Sequence, residues 1–164
     1  MKHHIRLLTI ALLALVFAAC NDTQSKDTAA IKAAAQGYLD ATGNYLIDEA
    51  APFATQNTRQ YSLPVLKRLK ELCDTASMNA NMPAEITIKG VRMVDSTHAY
   101  AYFHKHTPIK EQDDSVMVLK ENGQWLVDVR LSMMPYLNMQ PGQDIEHRFD
   151  PTLKQMPKKE PRQE

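Results

Sequence analysis

Apolar residues recur at two different spacings along this chain. From Asp27 to about position 78 they fall every three or four residues, the period of a helix with one buried stripe; after Pro83 they fall every second residue, the period of a strand with one buried face. From Asp27, the positions Ile31, Ala35, Tyr38, Leu39 and Thr42 share one helical face, with Asp27 or Thr28 available to cap the first amides and Gly43-Asn44 as the stop. A short apolar turn, Tyr45 to Ala51, is ended or kinked by Pro52. A third helix opens at Thr58 or Ser62, with Pro64 in its first turn, where a missing N–H costs little. Its buried stripe is Val65, Leu66, Leu69, Leu72, Cys73 and Ala76, and Lys67, Arg68, Lys70 and Glu71 make its solvated side.

Asn79 to Pro83 separates the two halves. Strands are expected over Glu85–Asp95, with a bulge or bend at Gly90, and over Thr97–Thr107, joined by a short turn at Asp95-Ser96. Pro108 to Asp114 reads as a link to the clearest element, SVMVLKENGQWLVDVRL from Ser115 to Leu131. Asn122-Gly123 is a type I′ hairpin signal, because that turn needs positive φ at both central residues. The register follows: Glu121 opposite Gln124, Lys120 opposite Trp125, Leu119 opposite Leu126, Val118 opposite Val127 and Val116 opposite Val129. Val116, Val118, Trp125, Val127 and Val129 then share the core face. Helices followed by antiparallel strands make the fold class α+β, with the helices on one face of a sheet of about four strands.

Residues 1–19 open with the basic MKHHIR and continue as an apolar run too short to span a bilayer, the form of a signal peptide. The run ends Phe17-Ala18-Ala19-Cys20, which resembles the lipobox of bacterial lipoproteins. The resemblance implies that the Cys20 thiol receives a diacylglyceryl group and the new amino terminus a third acyl chain, an anchor in the bacterial cell envelope. Phe17 stands where that family usually has leucine. Ordinary cleavage nearby, giving a secreted protein, is the competing reading. Residues 20–26 are polar and read as a tether, 27–137 as the domain, and 138–164, with four prolines among charges, as a disordered tail.

The whole chain has 19 basic and 19 acidic residues. Without Lys2 and Arg6 the balance becomes slightly acidic, which offers no field for nucleic acid. Cys73 has no evident disulfide partner and reads as a small buried hydrophobe.

The order of elements, with Thr97-His98-Ala99 and Gly123-Gln124-Trp125, resembles the nuclear transport factor 2-like superfamily, and within it small bacterial lipoprotein domains of unknown function. That resemblance implies a curved sheet wrapping the helices into a cone, often with a pocket at the open end, and frequent dimerisation through the sheet. One departure is that TQNTRQY leaves little room for the extra strand or hairpin of larger members. Tyr38, Phe53, Tyr61, Phe103 and Trp125 are the candidate pocket residues for a small apolar ligand. Enzymes of this fold, isomerases and cyclases, imply an alternative with a catalytic carboxylate in the pocket, for which Tyr38, Asp40 and Asp48 are the nearest raw material.

On the second strand His98, Tyr100, Tyr102, His104 and His106 share one face. His104 and His106 lie close enough to chelate, but no third ligand stands at matched spacing, so no metal and no cofactor is assigned. Tyr100, Tyr102 and His104, with Met117, Leu119 and Leu126, form a candidate interface on the outer side of the sheet. A second copy of the chain or an envelope protein would dock there, unless Met133, Tyr136 or Leu137 folds back over it. The reading that results is a lipid-anchored, non-catalytic binding or docking domain.

Overall fold

The computed structural model describes residues 25–131. The leader, Cys20, most of the tether and everything after Leu131 lie outside the described residues. Helix α1 covers 25–43, and a 3-10 turn follows at Ile47–Phe53. Helical backbone resumes at position 56, widens into a π-turn at Thr58–Ser62 and continues as α2, Leu63–Leu72; α3 is Thr75–Ala80. The strands are β1 (Glu85–Met93), β2 (His98–Thr107), β3 (Lys110–Glu121) and β4 (Gln124–Asp128), an antiparallel meander in the order β1-β2-β3-β4. The architecture is α+β, helices packed on a four-stranded antiparallel sheet.

The expected stripe of α1 is buried in full: Ile31, Ala35, Tyr38, Leu39 and Thr42. Its stop differs in detail. The left-handed residue is Tyr45, at φ 61°, and the Leu46 N–H to Ala41 O and Tyr45 N–H to Thr42 O bonds close a Schellman motif. Gly43 instead permits close approach, since a Cβ there would sit 3.3 Å from the Ala84 Cβ. Asn44 bonds both the N–H and the C=O of Ala84, tying the end of α1 to the start of β1.

Pro64 explains the π-turn. It has no N–H for the Gln60 carbonyl, and its ring would crowd that oxygen in a regular turn. The turn widens just ahead of it, and the Leu63 N–H reaches back to Thr58 O. The expected stripe of α2 holds at Val65, Leu66, Leu69 and Leu72, but it does not run on to Ala76. The chain turns extended at Cys73 (ψ 135°), and Asp74 caps a new helix by accepting from the Ser77 N–H at 2.8 Å, which leaves Ala76 exposed on α3. Cys73 is half-buried.

The hairpin forms as expected. Asn122 and Gly123 have φ of 51° and 81°, and the pairs run from Glu121–Gln124 to Met117–Asp128. The bulge sits at Gly90, where the β1–β2 register shifts between Ile88 and Gly90. Two expectations change. Pro108 to Asp114 is not a link, since β3 begins at Lys110. His104 and His106 pair across to Asp113 and Glu111 with imidazole–carboxylate contacts of 2.9 and 3.2 Å, and these cross-strand partners carry the acidic stretch into the sheet. Val129, although buried, does not pair with Val116, because β4 leaves the ladder after Asp128.

Candidate functional site

The candidate pocket residues divide. Tyr38, Phe103 and Trp125 belong to one continuous core with Ile31, Leu66 and Val118, and Phe53 packs against it. Phe53 reaches α1 because Gly37 has no side chain; a Cβ there would lie 2.4 Å from the ring. Tyr61 is 58% exposed on the helix surface, apart from the other four. The acids named with Tyr38 are engaged elsewhere. Asp40 accepts from the Gln36 amide, and Asp48 pairs with Lys67 at the surface.

Three features of the interior were not anticipated. The first is a set of buried hydroxyls along the free side of β4. Ala54 forms a parallel bridge with Val127, and the Thr55 N–H donates to Val127 O at 2.9 Å. Beyond that point side chains replace backbone. The Val129 N–H donates to Thr58 Oγ1 at 2.8 Å, the Leu131 N–H donates to Ser62 Oγ at 3.1 Å, and Ser62 Oγ donates to Val129 O. Thr58 and Ser62 stand one helical turn apart and serve an extended segment as a neighbouring strand would. The signal was available: both continue the stripe of Val65, Leu66 and Leu69 backwards.

The second is Asp128. Its carboxylate is buried, accepts from Thr55 Oγ1 at 2.9 Å and lies 3.5 Å from Arg130 Nε. The register sets it opposite Met117, and it is buried all the same. Tyr38 is fully buried, and among the described residues its hydroxyl has no hydrogen-bond partner. Burial, and secondarily the charge of Asp128, pushes the Tyr38 phenol well above its ordinary value, so it stays protonated. Burial likewise pushes Tyr45 up to about 12.

The third is Asp27. Instead of capping its helix, its carboxylate accepts from Trp125 Nε1 at 2.8 Å and from Lys120 Nζ at 3.0 Å. Lys120 also sits over the Trp125 ring, 5.3 Å from the centroid. These hydrogen bonds, Trp125 first and Lys120 second, hold the Asp27 carboxyl below its ordinary value.

On the outer face the register brings the candidate interface together. Tyr100 pairs with Met117, His98 with Leu119, and Leu119 with Leu126. Tyr102, opposite Ser115 and Gly90, is 39% exposed in the middle of this face. Tyr100, Met117 and Leu119 are half-buried, and Leu126 is only 9% exposed. Arg92 lies over the Tyr100 ring at 5.4 Å. His104 joins the face already paired to Asp113.

No family model and no curated protein matches this chain. Among solved structures it is similar to an NTF-2 like protein of unknown function from Shewanella oneidensis MR-1. That likeness has 14% identity and a TM-score of 0.42, over 60% of this chain and 91% of the other. Likeness at that level carries no argument about function, and the architecture rests on the helices and strands themselves.

Proposed function

We propose that this chain is a bacterial envelope lipoprotein, anchored through acylated Cys20, whose domain is a non-catalytic docking module. The outer face of its sheet receives a second copy of the chain. The observation that carries this reading is the contrast between the two sheet faces. The inner face is packed against helices by Phe103, Val118 and Trp125, all buried, whereas the outer face presents Tyr102 and the partly open Tyr100, Met117 and Leu119. Aromatic and methionine side chains on an open sheet face suit an interface core.

A single open face can meet its own copy about a twofold axis. With that axis along the strands, β1 of one copy lies across from β3 and β4 of the other at the same level. The enzyme alternative has less support, because Asp40 and Asp48 are engaged away from Tyr38.

Sedimentation of a chain lacking residues 1–20 tests the docking surface: a dimer is expected, and Tyr102→Glu should convert it to monomer. A monomeric parent, or an unchanged mass in the variant, would remove this face as the interface. Replacing Cys20 by Ser should release the full chain from membranes, and continued dependence on detergent would rule out lipidation there.

A further inference from the structure

The two ends of the sheet differ in how they connect to the proposed anchor. The geometry points to an end-on attachment: the β1–β2 and β3–β4 turns rest against the phospholipid surface, and the β2–β3 turn is carried outward. This rests on the lipidation of Cys20 proposed above and adds an orientation to it.

Three observations converge. First, the leash is short. From Cys20 to Ser25, where α1 begins, there are five residue steps, at most about 17 Å of extended chain. Second, the start of α1 is fastened to one end of the sheet. Asp27 holds both Lys120 and Trp125, which are paired two residues from the Asn122-Gly123 turn. The Lys120 N–H in turn donates to Thr97 O at 2.9 Å, so the β1–β2 turn lies at the same end. Third, the far end is far. The strand β2 has ten residues, a span of about 33 Å, longer than the leash can reach.

Each end of the sheet presents one exposed aliphatic residue, so the leash and not the side chains decides which end meets the membrane. Val94, 56% exposed, stands at the β1–β2 turn, and Asp95 in that turn is occupied by the Thr97 and His98 N–H groups. Val94 can enter the headgroup layer, although the hydrogen bonds from Thr97 and His98 keep the adjacent Asp95 ionised; the nearby charges are of mixed sign, so anionic lipid is not required. At the opposite end the β2–β3 turn presents Ile109, 64% exposed, to the aqueous side. A twofold axis along the strands is then normal to the bilayer, so two copies docked by their outer faces place both leashes on the same membrane.

Energy transfer to the membrane surface tests this. The full, acylated chain with Cys73→Ala carries a single donor dye at Ser96→Cys or at Ile109→Cys. It is reconstituted in phosphatidylethanolamine–phosphatidylglycerol vesicles containing headgroup-labelled acceptor lipid. Transfer from position 96 should be at least twofold greater than from 109, and a ten-residue Gly-Ser insertion after Asp22 should narrow the difference. Equal transfer from both positions on acylated protein, or a difference unaffected by the insertion, would overturn the orientation. A mass spectrum without acyl chains on Cys20 overturns the anchor and the orientation together, and separates that failure from the first.

Discussion

Replacing Tyr38 by Phe should make this protein more stable. The wild-type hydroxyl is fully buried on α1 and has no hydrogen-bond partner among the described residues, so folding strips it of water without replacement. Leaving a buried polar group unsatisfied costs about 1–3 kcal/mol. The substitution removes that cost and keeps the ring, at the expense of a void smaller than a methyl group. We expect a net gain of about 1 kcal/mol, or a rise of about 4 °C in melting temperature for a domain of this size. Urea unfolding followed by the fluorescence of Trp125, the single tryptophan, measures it, with the slope of the transition unchanged. A loss of about 1 kcal/mol or more would refute the reasoning, because it would mean that the hydroxyl is bonded in solution. A buried water or a bound ligand would then be its partner, and the interior rather than the outer sheet face would become the place to look for function. The same ring replaced by Leu should instead cost about 2–4 kcal/mol, as a large-to-small change in a packed core.

Three further outcomes are expected. Thr58→Val preserves shape but removes the acceptor for the Val129 N–H, and should destabilise by about 1–3 kcal/mol in thermal unfolding; a neutral result would mean that water takes over that N–H. Gly37→Ala drives a methyl into the Phe53 ring and should cost about 1–3 kcal/mol of overpacking, against about 1 kcal/mol gained in helix propensity. In a Phe53→Ala background the same change should turn neutral or stabilising, and a double-mutant cycle showing no coupling would contradict the contact. Asp27 has a folded value held below its ordinary 3.8, so it contributes stability above that value and loses it as pH falls through the lower folded one. The stability gap between wild type and Asp27→Asn, measured by urea titration, should therefore be full at pH 6 and shrink below pH 4; a gap independent of pH would show that the charge is not what the clasp uses.

How much of this was legible depended on whether an element is specified by its own residues or by where it ends. The β3–β4 hairpin could be read to the residue because Asn122-Gly123 fixes the turn and the pleat fixes every pair after it. The α1 stripe was legible for the same reason, a period long enough to leave one solution. Failures begin where a neighbour decides. Glu111 to Asp114 look like a loop in isolation and become a strand only because His104 and His106 lie opposite. Asp74 looks like part of a longer helix until its side chain closes on Ser77 and starts another. Asp27 looks like an N-cap, and its position is instead taken by Trp125 and Lys120, almost a hundred residues away. The hydroxyls of Thr58 and Ser62 are the sharpest case. In sequence they are ordinary helix-start residues, and their role follows from β4 leaving its ladder at Asp128 with backbone groups unpaired. A sheet edge left bare invites pairing with another chain, so the helix that covers this one closes it to any partner strand. That closure removes the β4 edge from the surfaces open to a second copy and leaves the broad outer face and the β1 edge, which is why the Tyr102→Glu test on the outer face is the one that decides between them.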